Sequence, residues 1–562
     1  MSPTMSTWQE LAAEKKQRQQ AAIPKDWIVA VPPVDQLDVT DVPAKCGLLT
    51  PFELEITDTS DVGVLLVKLA AGQWSSIDVT RAYYKRAIVA QQVTNCLTEI
   101  FVERALARAG ECDAYLKKNG KPMGALHGLP ISLKDQVRLK GLETTIGYVS
   151  WIGDYATRDA TLATILYEAG AVPFVRTNVP QTLMWPETFN NIFGRTLNPH
   201  NRKLTCGGSS GGEGALIGMK GSPLGVGSDI GGSIRIPSAF NGLYSLRPSF
   251  NRIPYEGSTN TMEGQDSIPS VLGPLSISLS GVKAFTKAVI DLQPWTKDPL
   301  AVRKAWDEEG YQLKEHGNGK DLCFAILWDN GYSLPTPPIR RALEIAKKAL
   351  EAKGFKVIDW PGFNYGELST TVSHIWAAGS LEDYATTTAK IGEPVIATMA
   401  LDGVSSSLEW LTPIESLSAY ELWQLQKKRT ELRKAHLDLW ESTASLTGTG
   451  RPVDAIISPV APYAAIPHGK NADVTYTMVW NGLDCPACVF PVSKVDPYID
   501  VKEPRDKFLS KADEFFYNLY DPDFWQNAPT CLQLVGRTLE EEAVIGMTEI
   551  VDAALSAYKS LG

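Results

Sequence analysis

Apolar residues recur at helical spacing through Ser60 to Lys118, with Val62, Leu65, Leu66 and Leu69 on one face and Ala82 to Val89 continuing it. From Pro130 to Val137 the pattern changes to that of a strand, with Ile131 and Leu133 on one side and Lys134 on the other. Asp159 to Glu168 then reads as a helix closed by Gly170, and Ala171 to Arg176 as a strand. The alternation resumes further on. Cys323 to Trp328 predicts a strand, Pro338 to Lys353 a helix with Gly354 as its stop, and Lys356 to Asp359 another strand. Such alternation predicts an α/β fold layered around a largely buried sheet. Ahead of it, residues 7–21 read as an exposed amphipathic helix, followed by an arm containing Pro24, Pro32, Pro33 and Pro43 that wraps the body. Two charged stretches, 296–320 and 495–527, are expected as surface excursions. The chain shows no internal repeat.

Composition narrows the partners. The 562 residues are 44% hydrophobic and 21% charged, as in a globular protein with a sizeable core. Lys and Arg number 54 against 64 Asp and Glu, a net charge of −10 that disfavours a nucleic-acid partner. The N-terminus lacks the apolar core of a secretory signal, and no apolar run approaches a membrane span, so a cytoplasmic protein without stable membrane insertion is expected. Eight cysteines are too sparse for a disulfide framework. Cys485 and Cys488 have CxxC spacing, but their surroundings are apolar and no second CxxC completes a zinc site, which favours structural cysteines.

The densest chemical signal lies between Cys206 and Arg235, where thirty residues hold eleven glycines and five serines. Apolar runs such as Ala215-Leu216-Ile217 argue against a flexible linker. So much side-chain-free backbone allows several N–H groups to face one cavity, with serines on the turns between them. Ser233 follows the strand-like Leu224 to Gly227 and the turn Asp229 to Gly232, which suits a nucleophile beside oxyanion donors. A serine that merely bonds the turn backbone reads equally well from the residues alone.

This segment resembles the defining motif of the amidase signature family of serine hydrolases: GGSSGGEGALIG, then GVGSDIGGSIRIPSAFNGLYSLRPS. HGLPISLKDQ (His127 to Gln136), RTNVPQTLMWPE (Arg176 to Glu187), Gly273-Pro274-Leu275 and APTCLQLVGR (Ala528 to Arg537) resemble its other landmarks, in family order. The opening TWQELAAEKKQRQQAAIP and the block NVPQTLMWPETFNNIFGRTLNP most resemble the fungal acetamidases of that family. The resemblance covers roughly residues 50–555. It implies a single large α/β domain, a mixed central β-sheet covered by helices. Residues 59–562 would form it, with 1–58 as the N-terminal helix and arm.

The resemblance also implies roles. Ser209 maps onto the family's cis-configured serine, relaying a proton from Ser233, while the N–H groups of Ile230, Gly231, Gly232 and Ser233 form the oxyanion hole. Ser210 is the local competitor of Ser209. Leu183, Met184 and Trp185 match a region bordering the substrate channel, although Trp185 could equally be core.

Lys134 is the candidate base. None of the six histidines has an obvious triad setting, and His127 reads as structural. A lysine ending a central strand is desolvated, which lowers its pKa from about 10.4 towards neutrality and lets it accept a proton. A shift of ~3 units corresponds to ~4 kcal/mol, within reach of burial. A lysine that reaches water, or pairs with a carboxylate, fits the spacing as well. Asp229 and Arg235 flank the turn and are expected to brace it. Gly207 to Gly211 also satisfies GxSxG, but Thr205-Cys206 makes a poor preceding strand.

The resulting expectation is an amidase that uses no metal or cofactor. It would convert a monocarboxylic amide, preferably short and acetamide-like, to the acid and ammonia through Ser233, Ser209 and Lys134. A glutaminase subunit of an amidotransferase complex, an amidase for a larger aryl or acyl amide, and an inactive binding scaffold are the rival readings. The assembly is left open, with a homodimer allowed.

Overall fold

The computed structural model describes residues 7–396 and 417–560; the first six residues of the expected N-terminal arm lie outside them. Thirteen strands occur among these residues: β1 Leu97–Ile100, β2 Pro130–Lys134, β3 Val172–Thr177, β4 Phe189–Asn190, β5 Gly194–Arg195, β6 Leu224–Asp229, β7 Tyr244–Arg247, β8 Val271–Ser276, β9 Cys323–Ile326, β10 Lys356–Asp359, β11 Ala455–Pro459, β12 Ala487–Lys494 and β13 Pro529–Val535. Eleven of them form one sheet in the order β1-β3-β2-β6-β8-β7-β12-β13-β11-β9-β10, and β4 pairs with β5 apart from it. The sheet is mixed. β2 runs parallel to both β3 and β6, whereas β6 is antiparallel to β8. The expected α/β class and single sheet-centred domain are what the chain forms.

Helices cover this sheet, and its central strands are buried on both faces. β2, β3, β6, β11 and β13 are buried along their whole length, polar residues such as Lys134, Arg176, Asp229 and Gln533 included. Ser76–Thr94 and Val102–Asn119 pack together near β3, and Pro337–Ala352 and Glu541–Lys559 pack together near β12 and β13. Ile131, Leu133 and Phe174 belong to one large apolar cluster, and Phe324, Leu343, Leu532 and Val544 to a second.

Several local expectations need correction. Residues 60–118 are not continuous helix, since β1 separates two helices and pairs with β3. β2 ends at Lys134 rather than Val137, because the Val137 N–H turns back to the Lys134 carbonyl at 2.9 Å. The N-terminal helix, Trp8–Ala21, docks through a small apolar cluster, in which Trp8, Leu11 and Ala12 meet Val149, Ile192 and Phe193, and through buried polar residues. Its buried residues are Ala12, Lys15 and Gln19, and Lys15 pairs with Glu99 and Glu143. The arm then lies against the body, with Val39 N–H donating to the Pro199 carbonyl. The 495–527 stretch is not wholly superficial: it contains the helix Lys511–Leu519, and Phe516 and Trp525 enter the second core. Among the described residues, no helix is long and apolar enough to cross a membrane.

Candidate active site

The two-residue period of β2 continues into the turn beyond it, placing Ser132, Lys134 and Gln136 on one side and Asp135 on the other. Asp135 is held away from the site by Arg176, Thr98 and the Ile146 N–H. Lys134 is fully buried where the parallel strands β2 and β6 end side by side. Its Nζ donates to Ser209 Oγ and to Ser228 Oγ, each at 2.7 Å. Burial lowers its pKa from 10.5 to about 7, against the opposing pull of Asp229 and Glu213. A neutral amine is therefore accessible at physiological pH. Glu213 lies under the same site, accepting from Ser132 and Thr177, and burial raises its carboxyl to about 8. Gly225 lacks the Cβ that would strike this carboxyl.

Ser209 follows a cis Gly208–Ser209 peptide. Ser210 has a different employment: its hydroxyl accepts from the Ser228 N–H at 3.2 Å and donates to the Ser228 carbonyl at 3.3 Å. Its hydroxyl thus bonds the backbone at the end of β6.

Ser233 sits on the turn after β6, nine-tenths buried, and lines the same cavity as Gly208. Among the described residues, Ser209 Oγ and Ser233 Oγ share no hydrogen bond. The turn is braced from below. Arg235 Nε and Nη2 reach the two Asp229 oxygens at 3.0 Å each, and Asn481 and Gln533 hold the rest of the guanidinium. Burial opposes ionisation of Asp229, but Arg235 outweighs it and brings the carboxyl to about 2. Asp229 in turn accepts from the N–H groups of Gly232 and Ile234 at 2.8 and 3.1 Å. The Gly232 N–H is committed to Asp229, leaving those of Ile230, Gly231 and Ser233 without a partner among the described residues. Thr477 fixes the turn from the other side by donating to the Gly231 carbonyl at 2.6 Å. Gly232 has φ +141°, a value that only glycine adopts readily.

The cavity above Ser233 has a volume of about 390 Å³. Leu183, Met184 and Trp185 line one wall, and Ile230, Gly231 and Gly232 lie beside the serine. Sequence reading missed the opposite wall. It comes from the helix Tyr365–Ala389, whose Ser373, Trp376, Ser380, Leu381 and Tyr384 face the cavity. Their three- and four-residue spacing marks one helical face, but nothing in it distinguishes a pocket wall from a core stripe. His127 lies elsewhere, accepting from the Met123 N–H at 3.1 Å, and Cys485 and Cys488 are buried thiols.

The chain matches the family model for Amidase over residues 78–545. It belongs to the amidase family. The amidase is 41% identical over 553 residues to the acetamidase of Emericella nidulans, with 98% of each chain covered. It is 42% identical over 552 residues to the acetamidase of Aspergillus oryzae, covering 98% of this chain and 99% of that one. Among solved structures it resembles a fatty acid amide hydrolase at 33% identity and a TM-score of 0.90, over 98% of this chain and 95% of the other. The amidase is thus a hydrolase acting on amide C–N bonds, with the fold of that family.

Proposed function

We propose that the chain hydrolyses the amide of a monocarboxylic acid to the acid and ammonia through Ser233, Ser209 and Lys134. The observation that carries this reading is the bond from a desolvated lysine to Ser209 beneath the cavity that Ser233 lines. Ser233 Oγ attacks the carbonyl carbon while its proton passes to Ser209, and the Ser209 proton passes to neutral Lys134. The free N–H groups of Ile230, Gly231 and Ser233 receive the developing oxyanion. The C–N bond then breaks as the proton returns along the same path to the leaving nitrogen, giving ammonia and an acyl ester of Ser233. Water, deprotonated by the same chain, cleaves that ester.

Acetamide-like substrates are supported by two full-length relatives named acetamidases. The cavity favours a second reading alongside. At about 390 Å³ it lies in the ~300–1,000 Å³ range of pockets for drug-sized ligands, far more than an acetyl group occupies. A longer or aryl acyl chain would lie between Met184 and Trp376. Eight unpaired cysteines suit a reducing compartment, so we place the enzyme in the cytoplasm. Mass spectrometry of enzyme quenched in acid during turnover tests the proposal. An acyl adduct on the peptide containing Ser233 is expected, and an adduct on another residue would refute the assignment.

A further inference from the structure

Lys134 has a second partner that the proton path does not use. Ser228 Oγ accepts from Lys134 Nζ and also donates to Gln136 Oε1. The Gln136 amide is pinned at its other end, where Nε2 donates to Tyr255 Oη at 2.6 Å and to the Thr259 carbonyl at 3.1 Å. A backbone carbonyl only accepts, so the amide nitrogen must face Thr259 and the amide oxygen must face Ser228. That oxygen also only accepts, so the Ser228 hydroxyl hydrogen points at Gln136. Ser228 then offers Lys134 nothing but lone pairs. One N–H of the amine is committed to Ser228, so that when Lys134 is neutral its lone pair can turn to Ser209, the hydroxyl to which the amine otherwise donates.

Resting on the Ser233–Ser209–Lys134 reading, we propose that Gln136 is a positioning residue that fixes the direction of the hydrogen bonds on Lys134 and so reserves its lone pair for the Ser209 proton. Without the Gln136 oxygen, the Ser228 hydroxyl turns and donates to the neutral amine. Ser228 then occupies the lone pair and competes with Ser209. Gln136 touches no reacting atom and acts only through Ser228. All three groups are buried, so water does not substitute for the lost acceptor.

The test measures kcat and KM for ammonia release from a simple amide by the full chain carrying Gln136→Met, Ser228→Ala or both. Gln136→Met should lower kcat about tenfold with KM held within about twofold, since the fault appears in proton transfer and not in substrate binding. Because Gln136 works through Ser228, the double variant should be no slower than Ser228→Ala alone. Losses that multiply in the double variant, or an unchanged kcat in Gln136→Met, overturn the proposal. Gln136→Asn, too short to span Ser228 and Thr259 together, gives the same reading if the methionine variant does not fold. Failure of the underlying mechanism looks different, as Lys134→Ala would then retain activity.

Discussion

Lys134 Nζ and Ser209 Oγ stand 2.7 Å apart although 75 residues separate them in the chain. The lysine arrives on a strand buried along its whole length, and the serine on the glycine-rich turn before the helix Gly211–Gly218. Neither group alone is reactive. Burial lowers the lysine's pKa to about 7, and the contact sets its amine against the Ser209 hydroxyl.

The pH profile follows from that burial. The proposed mechanism requires neutral Lys134, so kcat/KM should fall with a single-proton limb below pH about 7. An acid limb near 4, or none down to pH 5, would point to a carboxylate base instead.

Stability should respond in the opposite sense to the loss of this lysine. Its pKa is about 7 when folded against 10.5 when free, so between those values the unfolded chain binds the extra proton. Stability therefore falls as pH drops through that window and levels off below about 7. Lys134→Met removes the buried amine and should melt no lower than the parent at pH 7 while losing turnover. A markedly lower melting temperature would show that its two hydrogen bonds outweigh the cost of desolvation.

The brace under the turn behaves differently. Arg235→Met leaves Asp229 buried and unpaired, a loss of about 3–5 kcal/mol by chemical denaturation. The Asp229 carboxyl is depressed from 3.8 to about 2. Its contribution is present above pH about 4 and is lost as pH falls towards 2. Equal stability of parent and Arg235→Met at pH 7 would contradict the bracing role.

Cavity size makes a prediction about substrates. Each further methylene buried against the apolar wall contributes about 0.8 kcal/mol, or about fourfold in affinity. KM should therefore fall along acetamide, butyramide and hexanamide, and Trp376→Ala should shift the preference towards longer chains. A KM that rises from acetamide onward would restrict the enzyme to short acyl groups and leave the cavity unused.

Legibility of these features depended on how local each one is. The place of Lys134 at the end of an apolar strand and of Ser233 on a glycine-rich turn was readable from the residues, whereas the roles expected of them came from the resemblance to the family. Asp229 and Arg235 lie six residues apart and were expected to pair. β1 was not readable: Leu97–Ile100 is four residues long between two helices, too short for its own period. The part of the N-terminal helix's docking that runs through buried Lys15 and Gln19 leaves no apolar signal to read. The commitment of the Gly232 N–H to Asp229 depends on the folded turn rather than on residue type. The far wall of the cavity and the Gln136–Ser228 contact join segments about 90 or more residues apart, which only the folded sheet brings together.

The central claim is that Ser233 is the nucleophile and Lys134 its ultimate base. The direct measurement is ammonia release from acetamide and hexanamide by the parent, Ser233→Ala and Lys134→Ala at pH 8, with each variant shown to be folded. Both substitutions should lower kcat by about 10³-fold or more. Turnover within about tenfold of the parent in either variant would contradict the account.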